Sequence, residues 1–272
     1  HADDLVVRQA REFAQRPDHR VERVGDADHE GVRGVVLDAL ANGEVDAANT
    51  GPDANQYKRG LTLPGVSVRR SVGPNYRHMT FGNTGFMTDT RVRQAIMMGI
   101  DRNVITQALI GPIDNTATPM DNHIFVKGLS CYKSNAGIYG TYNLQKADAL
   151  LDAAGWVKSG SKRTKGGVEL KPKITIPAGV TTSAQEAQLM QAMLAPLGVQ
   201  LEIQIVPSAD FFSKYITPGN YEMTVFTWLE VLPSCPADTG SLCRLKSGGI
   251  GRGATTKRYV LTLRSTSTKM NP

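Results

Sequence analysis

The chain has 272 residues, 40% of them hydrophobic and 6% aromatic, and a formal net charge of +6. That is enough apolar material for one large domain or two ordinary ones, and no apolar run reaches the eighteen or more residues of a membrane span. Seven of the 31 basic residues and one of the 25 acidic residues lie in 231–272, which leaves 24 of each sign before it. The charge belongs to the tail, without interleaved aromatics, and this argues against nucleic-acid binding. Cys131, Cys235 and Cys243 are an odd number at irregular spacing, neither a disulfide framework nor a zinc pattern.

In chain order, residues 1–40 are rich in Arg, Asp, Val and His and contain no lysine. A helix over Asp4–Gln15 and an apolar patch at Val32–Leu40 are the readable features. The strand Arg77–Asn83 follows, with Gly82 and Gly85 allowing a turn. Thr88 or Asp89 then caps a helix with apolar positions Val92, Ala95, Ile96 and Ile100. Asp101 caps the next, through Val104, Ile105, Ala108 and Leu109, and Gly111-Pro112 stops it. Residues 111–141 read as loop. Asn143 caps a helix with the stripe Leu144, Ala147, Leu150, Leu151 and Ala154, ended by Gly155. Lys158–Gly167 reads as a solvated, basic, hairpin-like loop.

Leu170–Pro177 alternates as a strand. Ser183-Ala-Gln-Glu186 has capping-box spacing and is expected to open a helix carrying Ala187, Met190, Met193 and Leu194. Val199–Val206 alternates almost perfectly, which suits a half-buried strand. Ser208 is expected to cap a short helix through Phe211, Phe212 and Tyr215, and Tyr221–Trp228 is another strand. Strands alternating with helices predict an α/β fold, a mostly parallel sheet with helices on its faces. Residues 231–272 hold eleven Ser or Thr and five Gly among 42 positions, a composition poor at offsetting ordering entropy.

No catalytic set assembles. His1, His19, His29, His78 and His123 are scattered, and Asp26-Ala-Asp28-His29 reads as a solvated acidic patch. Gly249-Ile-Gly-Arg-Gly253 lacks the strand and helix of a phosphate loop, and no Gly-x-Ser-x-Gly or Cys/His arrangement is present. The residues lead to the expectation that the chain is not an enzyme and takes no cofactor and no metal.

Five segments recur in one order: Asn42-Gly-Glu-Val-Asp-Ala-Ala48, Phe81-Gly-Asn-Thr84, Arg91-Val-Arg-Gln-Ala-Ile96 with Ile100-Asp-Arg102, Lys146-Ala-Asp-Ala-Leu-Leu-Asp-Ala-Ala-Gly-Trp156, and Leu197-Gly-Val-Gln-Leu-Glu-Ile203 with Gly219-Asn-Tyr-Glu-Met-Thr-Val-Phe-Thr-Trp228. In this order and spacing, over residues 39–229, the chain resembles the second lobe of a family 5 extracellular solute-binding protein, the oligopeptide/dipeptide/nickel class of ABC importers. The insert Thr164-Lys-Gly-Gly with Pro177-Ala-Gly-Val is similar to actinobacterial members. The resemblance implies a type II periplasmic-binding-protein-like second lobe with an incomplete first lobe. It divides the chain into an unassigned 1–40, a hinge-proximal remnant 41–85, the second lobe 86–230 and an irregular tail 231–272. Register is lost near Glu230. Both flanks are aperiodic, as either out-of-frame translation or real divergence with a disordered tail would leave them.

By the same resemblance, two lobes close on a peptide or similar polar solute, and importer permease subunits receive the loaded binder. The protein would be a monomer on the extracellular or periplasmic side, touching the membrane only through a lipid anchor. That anchor, the export signal and much of the first lobe would lie upstream of His1, so this chain alone is expected to bind weakly. The ligand-facing residues implied are Trp228, Thr227 and Phe226 at one strand end, and Asn83 and Phe81 at another. From the residues alone, Trp228 is equally a core-packing side chain and Asn83 a turn former. Glu230 stands where register fails, and no role is carried to it. The alternative is a non-transport envelope lipoprotein or regulator of the same fold, linked to glycolipid assembly.

Overall fold

The chain is described by a computed structural model at residues 37–44, 47–48, 50, 52–70, 75–122, 125, 127, 132–229 and 260–263. Of Asn75, Trp228, Leu229 and 260–263 it describes the backbone only. The Asp4–Gln15 helix, the three cysteines, every histidine except His78, Asp26-Ala-Asp28, Glu230 and the Gly249–Gly253 loop lie outside these residues.

Contacts divide the chain into two units, His1–Arg70 and Ser71–Pro272. The first contains a helical turn at 37–41 and helix α1 (Ala54–Thr62). The Asp53 carboxylate caps α1, accepting from the Asn55 and Gln56 N–H groups at 2.8 and 2.9 Å. Arg59, in its last turn, pairs with Asp38.

The second unit is built on a five-stranded sheet. Its strands are β1 (Asn75–Phe81), β5 (Lys173–Pro177), β6 (Glu202–Val206), β7 (Met223–Leu229) and β8 (Val260–Leu263), in the order β6-β5-β7-β1-β8. β5 pairs in parallel with β6 and β7, whereas β1 is antiparallel to both β7 and β8. Four strands therefore point one way and β1 runs against them. The sheet is mixed and mostly parallel, as the alternation of elements predicts. The second unit begins at Ser71, and β1 is an interior strand of its sheet.

The helices are α2 (Thr90–Gly99), α3 (Arg102–Leu109), α4 (Leu144–Ala153), α5 (Thr181–Leu194) and the single turn α6 (Ser208–Asp210). Asp89, Asp101 and Asn143 cap α2, α3 and α4 as the sequence predicts, each side-chain oxygen accepting one first-turn N–H at 2.9 Å. One continuous core joins these helices to the sheet. Val92, Ile96 and Ile100 of the α2 segment, Leu151 of α4 and Met190 and Leu194 of α5 meet Met79, Ile174, Ile176 and Val225. Two arginines of the family-like segments act as ties. Arg93 donates to the Met87 and Thr88 carbonyls and to the Thr90 hydroxyl. Arg102 joins the Gly140 carbonyl and Asp121.

Three local expectations fail, each because a distant partner takes the side chain. α5 begins at Thr181 behind Val180, with no side-chain cap; Ser183 and Glu186 are buried inside it. Ser208 is the first residue of α6, behind Pro207, and its hydroxyl donates to the Ala178 carbonyl; the chain then continues as a π-helical turn, Phe211–Ile216. The Lys158–Gly167 stretch does form a hairpin, β2 (Val157–Ser159) with β3 (Lys162–Lys165), joined by β4 (Val168–Glu169). It is not merely a solvated turn, because Arg163 at its centre is fully buried. Its Nε donates to the Leu197 carbonyl at 2.8 Å, Nη1 to Asp152 at 2.6 Å and to the Trp156 carbonyl, and Nη2 to Asp148 at 2.7 Å. Gly198, at φ +76, sits against this side chain and leaves room for it.

Candidate ligand-binding site

The β1–β7 ladder holds four of the five residues expected at the site, and Asn83 follows two residues after its end. Its register pairs Phe81 with Met223 at one end and Tyr76 with Trp228 at the other. These rungs are five residues apart, about 17 Å at ~3.4 Å per residue. The structure therefore brings Phe226, Thr227 and Trp228 together and sets Phe81 and Asn83 apart from them. Because the two strands are antiparallel, their C-termini lie at opposite ends of the ladder. The two groups are not neighbours, although each stands at a strand end.

At the β7 end, alternation sends consecutive side chains to opposite faces. Thr227 faces α5 beside Arg77, its partner in the ladder. The Thr227 hydroxyl accepts from Arg77 Nη1 at 3.1 Å. Phe226 faces the other way, edge-on to His78 at 4.3 Å between ring centres, and is joined by Phe212 at 5.5 Å and Phe211 at 6.3 Å. Trp228 takes the rung opposite Tyr76, and its side chain lies outside the described atoms.

At the β1 end, Phe81 is 5% exposed and belongs to the core. Asn83 is exposed in the following turn. Gly82 is required there by close approach, because a Cβ on it would stand 1.9 Å from the Tyr221 carbonyl oxygen. Its N–H donates to the Glu222 carbonyl at 2.8 Å. The Glu222 carboxylate accepts from the Phe86 and Lys173 N–H groups at 3.0 and 2.7 Å, joining this turn to β5. Beside the turn is a shallow groove of about 380 Å³, lined in part by Thr84, Lys171, Lys173, Gln204 and Asn220.

Sequence reasoning gave Arg77 no role beyond its strand and left His78 among scattered histidines. The Arg77 guanidinium grips Glu186 with Nε at 2.7 Å and Nη2 at 2.6 Å, and Nη2 also reaches the Ser183 hydroxyl at 3.0 Å. These partners lie more than a hundred residues away in sequence, beyond any local pattern. His78 is buried, and its pKa is pushed down to about 4, first by desolvation and then by the Arg77 guanidinium. Its ordinary value is 6.5, so the unfolded chain takes up a proton at a pH where the folded chain does not. Stability is full above about pH 6.5 and falls as pH drops toward 4. The expected loss is about 2 kcal/mol between pH 7 and pH 5. Urea unfolding at the two pH values checks this, with His78→Gln flattening the profile. Equal slopes in both proteins would remove His78 as the cause.

Among the described residues no three His, Cys, Asp or Glu side chains converge as a metal site, and no helix is long and apolar enough to cross a membrane. Residues 33–246 match the profile of bacterial extracellular solute-binding proteins, family 5 Middle. The chain belongs to that family. The match reaches past Glu230, so family-like sequence extends beyond the point where register is expected to fail. The oligopeptide-binding protein OppA of Mycobacterium tuberculosis is 34% identical over 195 residues, which cover 71% of this chain and 32% of that protein. The chain thus spans about a third of the length of this relative. The fold is shared with the periplasmic EDTA-binding protein EppA, at TM-score 0.66 and 23% identity over 73% of this chain and 38% of that one. It is also shared with AppA of Bacillus subtilis, solved with a nonapeptide, at TM-score 0.61 and 22% identity over 74% and 40%. The neighbours are type II periplasmic binding proteins, and the family members matched are binders.

Proposed function

We propose that this family 5 chain supplies one wall of a two-lobed solute binder that captures oligopeptides outside the cell and delivers them to the permease of an ABC importer. The 34% identity to an oligopeptide-binding protein carries the reading. Pockets form preferentially between domains, and closure around a ligand shifts an open–closed equilibrium without bond chemistry. On this reading Trp228 and Thr227 at one end of the β1–β7 ladder, and Asn83 at the other, are where a ligand meets the chain. Phe81 and Phe226 act chiefly by packing, which holds Asn83 and Thr227 in place.

With one wall, affinity of the 272-residue chain is expected near millimolar. At ten times such a dissociation constant a ligand stabilises the folded chain by about 1.4 kcal/mol, a rise of a few degrees in Tm. A thermal-shift screen of mixed penta- to octapeptides against free amino acids, nickel–histidine and EDTA tests this. The reading expects the rise with peptides alone. No rise with any peptide, or the same rise with free amino acids, would overturn it.

A further inference from the structure

Arg77 has more partners than a helix-to-sheet tie needs. Ser183 and Glu186 are three residues apart on α5 and present one face to the sheet. The Arg77 side chain is 13% exposed and that of Glu186 1%. The two bonds to Glu186 already fasten β1 to α5. The remaining Nη1 reaches across the ladder to Thr227, on the strand that carries the candidate ligand residues. A planar guanidinium gripped bidentately cannot turn, so the direction of this third contact is fixed by Glu186. A hydroxyl that accepts from a guanidinium keeps its own proton to donate elsewhere. Thr227 is half-buried, so that proton is within reach of a ligand.

Given the solute-binding reading above, on which this rests, we propose that Arg77 is a positioning residue, locked by Glu186, that orients the Thr227 hydroxyl as a hydrogen-bond donor to a ligand acceptor. A peptide carbonyl or terminal carboxylate fits that role; an amine does not. The same contact sets the path of β7 into Trp228, one residue on.

The chain contains two tryptophans, Trp156 and Trp228. Labelling the 272-residue chain with 5-fluorotryptophan gives one fluorine signal from Trp228 and one from Trp156 in the core near Phe86, assigned with Trp156→Phe. Thr227→Val keeps the shape and removes the hydroxyl; Thr227→Ser keeps the hydroxyl; Arg77→Lys keeps the charge and removes the fork. Thr227→Val and Arg77→Lys are expected to move the Trp228 signal, leave Trp156 in place and weaken pentapeptide binding about tenfold, the scale of one hydrogen bond to a charged or well-oriented group. Thr227→Ser should restore both readouts. If the Trp228 signal moves no further than that of Trp156, or Thr227→Ser fails to restore it, Arg77 is only a structural tie and the proposal falls. Arg77→Lys that fails to fold leaves the decision to the two Thr227 variants. A wild-type chain that ignores every peptide overturns the solute-binding reading itself, and the ligand role of Thr227 falls with it; a wild type that binds while the variants bind equally well overturns the positioning role alone.

Discussion

Arg163→Ala is expected to destabilise the second unit by about 3–5 kcal/mol. The physical source is not the ion pairs. Asp148 and Asp152 are 37% and 62% exposed, and screened pairs of this kind contribute about 0–1 kcal/mol each. The loss comes from the interior side of the guanidinium. The Leu197 and Trp156 carbonyls would lose their donor, at about 1–3 kcal/mol for each orphaned group. The buried aliphatic stem adds its lost packing. Arg163 joins the β2–β3 hairpin to the ends of α4 and α5, so its removal should loosen all three. Asp148→Asn and Asp152→Asn are expected to change stability by less than about 1 kcal/mol each. Urea denaturation of the three variants separates the two sources. Equal small losses in all three would show that the carbonyl contacts contribute little.

Phe211→Ala is expected to cost about 3–5 kcal/mol, the range for truncating a buried aromatic. Phe211 is 1% exposed and lies edge-on to Phe212 at 4.9 Å and to Phe226 at 6.3 Å. It is the first residue of the π-helical turn, whose geometry seats two consecutive aromatics against β7. Phe212 is 50% exposed, so Phe212→Ala should lose about 1 kcal/mol or less on area alone. In a folded unit of this size the difference should appear as roughly 10 °C in Tm. Because Phe226 rests on Phe211, the larger loss should also loosen the β7 end that carries Thr227. Equal Tm losses for the two variants would mean that the cluster is not organised around Phe211.

What was legible in the sequence was local. Asp89, Asp101 and Asn143 cap helices because a cap bonds within three residues of itself, and the window that predicts it contains the partner. The stripes Val92, Ala95, Ile96, Ile100 and Ala147, Leu151, Ala154 are buried as their periodicity requires. Ser183 and Glu186 have the spacing of a capping box, yet both are turned to Arg77, more than a hundred residues earlier. Arg163 sits among Lys, Ser and Gly, where composition signals solvent; its burial depends on a carbonyl 34 residues away. Ile205 continues a perfect alternation but is 63% exposed, because β6 is the edge of the sheet and nothing among the described residues covers that position.

The strands that carry the candidate residues were legible in the sequence, and how those residues lie relative to one another was not. Strand ends near Asn83 and Trp228 look alike in sequence, and grouping them assumes strands that point the same way. Their antiparallel register spans about 150 residues of chain and separates them by most of the ladder. That separation divides the five candidate residues into two groups at opposite ends of a buried ladder.

The most direct test follows the backbone amides of Asn83 and Thr227 in one isotope-labelled sample of the 272-residue chain. Tri-, penta- and heptapeptides of one composition are titrated into it, with free amino acids as the control. The solute-binding reading predicts that the peptides perturb at least one of the two amides at millimolar concentrations. Shifts at neither amide, or shifts that free amino acids reproduce, would contradict it.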